Sequence, residues 1–219
     1  MINEDFYLLL ENQYDFITND PIFYIIIRNT WVKTAYPQML THPDTAAFLY
    51  ILSKNKNINK VLDIGTFTGF SAILFARSTS NNAIIYTIEK HKEYENLINE
   101  HIELANVKSK IKIFYDDALL RLPHINEKFD LIYVDADKIN YPRYLDLCLK
   151  LLNENGIIIF DNINWYKNVE SNKPDKKTKA IKELIDKVNK KSFLNNFQKL
   201  ILPLGDSILI LQKNQLKIK

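Results

Sequence analysis

Short apolar runs alternate with helix-like segments along the chain from residue 60 onward. The runs show little polar alternation, which is typical of strands covered on both faces. They read KVLDI, AIIYTIE, IKIFY, FDLIYVD and GIIIFD, with apolar residues at helical spacing in the segments between them. This alternation predicts parallel strands joined by helical crossovers, because a tight turn cannot connect two parallel neighbours.

Two further strand-like runs lie near the end of the chain. FQKLILP and SILILQ are separated only by LGD, which predicts an antiparallel hairpin at one edge of the sheet. The predicted fold class is therefore α/β, with a mostly parallel sheet of about seven strands and helices on both faces. We expect one domain over residues 1–219, with a helical segment at 1–50 before a core at 60–212.

Composition narrows the class of protein. A chain of 219 residues suits one hydrophobic core, and no apolar run approaches the ~20 residues of a membrane span. The start of the chain, MINEDFYLLLENQ, is acidic and does not read as a secretory signal. Cys148 is the only cysteine, so no internal disulfide can form and a cytoplasmic location is expected. The net charge of +3 does not by itself indicate a nucleic-acid partner.

Glycine is scarce, and two glycines mark a candidate ligand-binding turn. Average usage would give about 15 glycines in a chain of this length, and there are 4. Gly65 and Gly69 follow the first predicted strand in VLDIGTFTGFSA, where a missing side chain lets the backbone approach a ligand. Ligands of open α/β sheets bind beyond the carboxyl ends of the strands. Gly156, at the start of the fifth predicted strand, is explained by a turn after a helix.

The next strand end adds an acidic residue to this turn. The spacing G-x-x-x-G differs from the G-x-G-x-x-G of dinucleotide folds, which weakens the case for NAD. Glu89 ends the second predicted strand, and a carboxylate there can accept both hydroxyls of a ribose. Together these features favour a ligand that contains adenosine. The alternative is that Glu89 is simply an exposed strand end.

Polar side chains also end the fourth and fifth predicted strands. Asp135 ends LIYVD, and Asp161 and Asn162 end GIIIFDN. If these strands are neighbours, their ends lie about 5 Å apart and three oxygen-bearing side chains converge. Such a set favours Mg²⁺ or Ca²⁺ over zinc. Capping of a turn by Asp161 and Asn162 explains the same residues equally well.

Lys138 follows Asp135 by three residues. It is near enough to reach a reactant held on such a metal ion, and the ion would favour the neutral amine that acts as a general base. The alternative is an ordinary solvated lysine.

Five motifs together resemble the cation-dependent O-methyltransferases, a family that includes catechol and caffeoyl-CoA O-methyltransferases. The motifs are VLDIGTFTGFSA, YTIEK, LIYVDADKINY, FDNINW and LPLGDS. They occur in the family's order from about Pro37 to Leu211. The resemblance implies a Rossmann-like class I S-adenosylmethionine (SAM) methyltransferase that uses a divalent cation, Mg²⁺ first and Ca²⁺ or Mn²⁺ as alternatives. It also implies a homodimer by analogy.

The resemblance assigns roles by position. It implies that the SAM contacts are Thr41, Asp63, Gly65, Thr66, Gly69, Ser71, Glu89, Asp117, Ala118, Asp135, Asp137 and Tyr144. It implies that Asp135, Asp161 and Asn162 are the metal ligands and that Lys138 is the catalytic base. The chain departs from the family pattern at Asp116, where glycine is usual. It also lacks the N-terminal lysine that holds coenzyme A esters in plant members, since its first basic residue is Arg28.

The implied reaction is methyl transfer from SAM to one hydroxyl of a phenolic small molecule with two adjacent hydroxyls. Trp165, Tyr166 and Lys167 stand where relatives often have W-x-G. Trp165 and Tyr166 are candidates for an aromatic wall beside the acceptor, or for loop packing.

Two alternatives to this function remain open. One is a hydroxylated tRNA uridine as acceptor, with a basic face formed by Lys167, Lys173, Lys176 and Lys177. The other is a SAM-binding module without catalytic activity, against which the complete set of metal ligands and Lys138 argues. No membrane partner is expected.

Overall fold

The structure is a computed structural model that describes residues 19–54, 58–164 and 174–214. Its strands are β1 (Lys60–Ile64), β2 (Ile84–Glu89), β3 (Ile111–Tyr115), β4 (Phe129–Val134), β5 (Leu152–Phe160), β6 (Phe197–Leu202) and β7 (Ile208–Lys213). They form one seven-stranded sheet in the order β3-β2-β1-β4-β5-β7-β6. Neighbours are parallel except for β7, which runs antiparallel to β5 and β6. The mostly parallel sheet and its antiparallel edge hairpin are thus confirmed.

Helices cover both faces of this sheet. They are α1 (Pro21–Lys33), α2 (Pro43–Ser53), α3 (Phe70–Ser78), α4 (Glu95–Leu104), α5 (Ala118–Arg121), α6 (Tyr141–Leu151), α7 (Lys176–Asn189) and α8 (Lys191–Leu194). The predicted helical segment before the sheet contains α1 and α2, and its residues 1–18 lie outside the described ranges. None of the helices in these ranges is long and apolar enough to cross a membrane.

Local sequence explains where several helices begin. The Asp20 carboxylate accepts the Ile22 N–H at 3.2 Å, with proline as the first residue of α1. Asp175 accepts the Thr178 N–H at 2.7 Å and starts α7 in the same way. These side chains satisfy N–H groups that have no partner within the helix.

Successive residues of the central strands fill two cores, one on each face of the sheet. Val61 and Leu131 belong to the core that packs against α1 to α4. Leu62 and Ile132 belong to the core that packs against α6 and α7. All four are fully buried, and each such side chain contributes about 1.5–3 kcal/mol by leaving water. Burial on both faces explains why these strands are continuous apolar runs.

The fifth strand begins earlier than the sequence indicates. β5 starts at Leu152, directly after α6, so the prediction that Gly156 lies in a turn after a helix is wrong. Leu152 pairs with Phe129 of β4, and the pairing shifts register between Phe129 and Leu131. A Cβ on Gly156 would lie 2.8 Å from the Phe129 carbonyl oxygen. This close approach of two backbones explains the glycine.

β1 occupies the position that matters for ligand binding. β2 and β3 extend the sheet on one side of β1, and the chain then crosses over to place β4 and β5 on the other side. A crevice therefore forms beyond the carboxyl ends of β1, β2 and β4, where the candidate ligand-binding residues occur.

Candidate active site

A cavity of about 980 Å³ lies at these carboxyl ends. Most predicted site residues line it: Thr41, Gly65, Thr66, Ser71, Glu89, Asp117, Ala118, Asp135, Asp137, Lys138, Tyr144 and Asn162. Asp63, Gly69 and Asp161 are not part of the lining but contact residues that are. Trp165 and Tyr166 lie outside the described residues, so their predicted acceptor role stays a prediction.

The turn after β1 passes directly over the ends of its two neighbouring strands. The N–H groups of Gly65 and Thr66 both point to the Ile88 carbonyl of β2, at 3.1 and 3.3 Å. On the other side, a Cβ on Gly65 would lie 2.1 Å from the Asp135 carbonyl oxygen. The φ of Gly65 is +106°, which L residues rarely adopt. Gly65 is therefore required both by its conformation and by its contact with the end of β4.

Glu89 holds the middle of this turn. Glu89 is 5% exposed, and its carboxylate accepts the Phe67 N–H at 2.6 Å and the His91 N–H at 2.7 Å. Burial raises the pKa of Glu89, although these two N–H groups act in the opposite direction. A carboxylate has about four acceptor positions, so acceptor capacity remains for a ligand in the cavity.

Asp63 lies one layer behind the cavity wall. It is fully buried and accepts hydrogen bonds from the hydroxyls of Ser71 at 3.1 Å and Thr87 at 2.8 Å. Burial raises the pKa of Asp63 to about 7, against the effect of the two hydroxyls. Asp63 therefore fixes Ser71, which does line the cavity, and contributes a group whose negative charge a nearby cation would stabilise.

The ends of β4 and β5 bring the predicted metal ligands together. Val134 pairs with Phe160, so Asp135 and Asp161 directly follow paired residues. Asp161 is 1% exposed, and its carboxylate accepts hydrogen bonds from the Tyr133 hydroxyl at 2.5 Å and the Asn162 N–H at 2.7 Å. Burial and the adjacent charge of Asp135 raise the pKa of Asp161. Asn162 has a positive φ of +53°, and such strained residues concentrate at functional sites.

Lys138 packs against this pair. Its Nζ donates to Asp135 Oδ1 at 2.6 Å and lies 5.2 Å from the centre of the Tyr141 ring. Burial alone would lower the pKa of Lys138, but the carboxylate of Asp135 and the Tyr141 hydroxyl outweigh it and raise the pKa. The alternative of a solvated lysine is wrong, because the side chain is only 6% exposed.

The opposite end of the cavity is more open. Asp117 starts α5 by accepting the Leu119 N–H at 2.8 Å, and it pairs with Lys90 at 2.8 Å. Asp116, the departure from the family pattern, pairs with Arg121 at 3.2 Å. Asp137 accepts from Asn140 Nδ2 at 2.6 Å and is exposed. These carboxylates form a polar border around the space beside the buried Ala118.

Sequence reasoning missed the outer wall of the cavity. Trp31, Met39 and His42 line it from the N-terminal side, and Asp206 lines it from the loop between β6 and β7. A Cβ on Gly205 would lie 2.8 Å from the His42 Cβ, so this loop packs closely against the start of α2. The motif LPLGDS marks that loop, but nothing local in the sequence shows that it meets His42.

A metal centre built from three or more His, Cys, Asp or Glu side chains does not occur among the described residues. The predicted set contains only two residues of these types, Asp135 and Asp161, and its third member is an amide. The divalent cation therefore stays a prediction.

Sequence comparisons with known proteins identify O-methyltransferases as relatives of this chain. A sequence profile of the O-methyltransferase family matches residues 17–214. The chain is 32% identical over 192 residues to a Dictyostelium discoideum protein named "Probable caffeoyl-CoA O-methyltransferase 3", covering 80% of this chain and 76% of that one. It is 28% identical over 139 residues to a catechol O-methyltransferase of Niastella koreensis, covering 62% and 63%.

A solved structure shows the same fold. The chain resembles the O-methyltransferase of Bacillus cereus, crystallised with S-adenosylhomocysteine (SAH), with a TM-score of 0.79 and 23% identity over 91% of this chain and 96% of that one. The Rossmann-like architecture expected from the sequence is thereby confirmed.

Proposed function

Because the chain belongs to the O-methyltransferase family, we propose that it transfers the SAM methyl group to one hydroxyl of a catechol-like compound with the help of a divalent cation. Family membership makes it a SAM-dependent O-methyltransferase, and the cation and the acceptor are the proposed parts. The observation that carries the proposal is the meeting of Asp135 with Asp161 at paired strand ends, with Lys138 in contact, beside the Gly65 turn.

The residues around the Gly65 turn support SAM as the ligand of this part of the cavity. Glu89 retains acceptor capacity for the two ribose hydroxyls, and Ser71 is fixed by Asp63 near the methionine part. SAM carries a sulfonium and an ammonium group, and two buried carboxylates with raised pKa favour positive charge nearby. Asp117 and Ala118 border the space proposed for adenine.

The three proposed metal ligands suit a hard cation. Asp135, Asp161 and Asn162 offer only oxygen donors, as Mg²⁺, Ca²⁺ and Mn²⁺ prefer. Burial and the adjacent charge of Asp135 raise the pKa of Asp161, and a bound cation would offset the repulsion between the two carboxylates. When bound, a divalent cation lowers the pKa of an acceptor hydroxyl and orients it for attack.

Lys138 is the proposed general base. The Asp135 carboxylate, which accepts from Lys138 Nζ, favours the protonated lysine. Lys138 would accept the proton of the acceptor hydroxyl in its neutral form, which burial favours and which a weaker bond to Asp135 would make accessible. The hydroxyl oxygen bonds to the methyl carbon while the carbon–sulfur bond breaks, which gives a methyl ether and SAH. Holding donor and acceptor in line supplies up to about 7–11 kcal/mol of the barrier reduction.

A hydroxylated tRNA uridine is the second candidate acceptor. The start of α7 carries Lys176, Lys177 and Lys179, and Lys177 lines the cavity. A basic segment at a cavity mouth suits a phosphate backbone. The other two lysines of the predicted basic face, Lys167 and Lys173, lie outside the described residues.

One methyl-transfer experiment distinguishes the catechol-like acceptor, the tRNA acceptor and the non-catalytic module. The protein is incubated with methyl-labelled SAM and catechol, caffeate or total tRNA, in buffer containing Mg²⁺ or EDTA. We expect label in a small phenol only with Mg²⁺, and recovery when Mg²⁺ is added back after chelation. Label in tRNA alone would refute the catechol-like acceptor, and transfer indifferent to EDTA would refute the cation. A protein that binds SAH yet transfers no label to any acceptor would favour the non-catalytic module.

A further inference from the structure

The cofactor turn, residues 65–69, is held in a strained conformation. Three of its five residues have positive φ, and one of them, Phe67 at +50°, is not glycine. A bulky side chain in this region costs about 1–2 kcal/mol. Such a turn persists only when surrounding contacts hold it, so the partners of its polar groups decide its shape.

Thr68, the fourth residue of the turn, is hydrogen-bonded to two helices outside it. It is fully buried. Its hydroxyl lies 2.8 Å from the Thr30 hydroxyl of α1. Thr30 donates its own proton to the Ile26 carbonyl at 2.7 Å, so Thr68 is the donor in the bond between the two hydroxyls. The Thr68 carbonyl faces Nδ1 of His101 on α4 at 2.8 Å.

The His101 ring is fixed in one tautomer. A carbonyl only accepts, so Nδ1 carries the proton that is donated to Thr68. Nε2 is then an acceptor and faces Asn29 Nδ2 of α1 at 3.2 Å. The charged groups nearby are Glu100, beside His101 on α4, and Lys33 of α1, which pair with each other at 2.8 Å. Burial lowers the pKa of His101, although the Thr68 carbonyl and Glu100 act in the opposite direction, so the neutral ring is favoured.

We propose that His101 and Thr30 are positioning residues for SAM, because they fix the carbonyl and the hydroxyl of Thr68 and thereby hold the cofactor turn in its binding conformation. Neither residue lines the cavity, so each acts through Thr68. The inference rests on the proposed use of this turn for SAM. It adds α1 to the cofactor machinery, although the turn and α1 are more than 30 residues apart in sequence.

If His101 and Thr30 position the turn, their loss should weaken SAM binding without slowing turnover at saturating SAM. Loss of one bond to Thr68 should let the turn relax and weaken cofactor binding about tenfold, the usual effect of one buried hydrogen bond. Thr68 bonds to α1 and α4, whereas Asp135, Asp161 and Asn162 follow β4 and β5. We therefore expect the KM for SAM and the Kd for SAH to rise about tenfold, while kcat at saturating SAM and the KM for the acceptor change less than about twofold.

The test uses four variants of the full chain and SAH as the probe. His101→Leu removes the donor but keeps an apolar side chain, and Thr30→Val removes the hydroxyl but keeps the branched shape. His101→Gln restores an N–H donor and should recover most of the SAH affinity. Glu103→Gln alters an exposed residue of the same helix, paired with Lys108, and should bind SAH normally. SAH binding is measured by titration calorimetry and folding by thermal unfolding.

The wild-type protein tests SAM use at this site, and the variants test the positioning role of His101 and Thr30. A wild-type protein that does not bind SAH would refute SAM use at this site before any variant is examined. If wild type binds, SAH affinity within twofold of wild type in the folded Leu and Val variants would overturn the positioning role. Should His101→Leu fail to fold, Thr30→Val and His101→Gln decide. Failure of both Leu and Val variants to fold also overturns it, because these bonds would then stabilise the whole domain.

Discussion

Replacing Gly65 by alanine tests whether the cofactor turn and the end of β4 are locked together. The new Cβ would lie 2.1 Å from the Asp135 carbonyl oxygen and 2.8 Å from its carbonyl carbon. Ordinary contact begins at 3.4 Å, so the two backbones must separate by about 1.3 Å. Asp135 is also a proposed metal ligand, and the same movement would displace its carboxylate.

The expected loss of stability has two parts. Alanine at a φ of +106° costs at least about 1–2 kcal/mol in backbone strain. Overlap with a packed backbone adds about 1–3 kcal/mol. We therefore expect the free energy of unfolding to fall by about 2–5 kcal/mol. Because an error of about 1 Å in a binding group can cost about a hundredfold in function, SAH affinity should fall at least tenfold.

Gly69→Ala is the matched control for this prediction. Its φ is +93°, but the nearest atom to a Cβ there is 3.6 Å away, which is ordinary contact. Only the strain of about 1–2 kcal/mol should apply. Urea unfolding and SAH calorimetry on both variants isolate the overlap with Asp135. If Gly65→Ala loses no more stability than Gly69→Ala, the close contact between the turn and β4 is not what requires glycine.

Three further predictions concern the charged groups of the site. Folding raises the pKa of Asp63 to about 7, so the folded protein holds a proton that the unfolded chain has lost, and stability should fall by about 4 kcal/mol as pH rises from about 4 to about 7. Asp63→Asn should remove this part of the slope in urea unfolding curves, and an unchanged slope would contradict the assignment. Lys138→Ala should lower kcat at least a hundredfold and leave SAH affinity within about threefold, and near-normal turnover would exclude Lys138 as the base. Asp161→Ala should abolish Mg²⁺-dependent transfer, whereas Asp146→Ala, at an exposed pair with Lys187, should retain it.

Much of the fold could be predicted from the chain because burial on both faces leaves a direct trace in sequence. The central strands are continuous apolar runs, and their order along the chain requires crossovers. The start of β5 could not be predicted, because Leu151 ends α6 and Leu152 begins the strand with no turn residue between them. Gly156 looked like a turn for that reason, whereas the close approach of Phe129 explains it.

Some residues of the candidate site could be predicted from the sequence and others could not. Gly65, Glu89 and Asp135 follow strands directly, so their convergence is a consequence of the parallel sheet. His101 is different, because a histidine on the apolar side of an amphipathic helix gives no local signal of its partner, Thr68. The contact of His42 with the loop at Gly205 likewise joins segments that only the tertiary fold brings together.

The contact between the loop at Gly205 and the start of α2 affects which acceptor molecules can enter the cavity. The entrance to the cavity depends on how the β6–β7 hairpin fits residues 36–44, and neither segment belongs to the floor formed by the central strands. Substituting the His42 side chain or Gly205 would alter the size of molecule admitted without changing a residue of the central strands. We therefore expect variants of this entrance to differ from the present chain in which acceptors they admit.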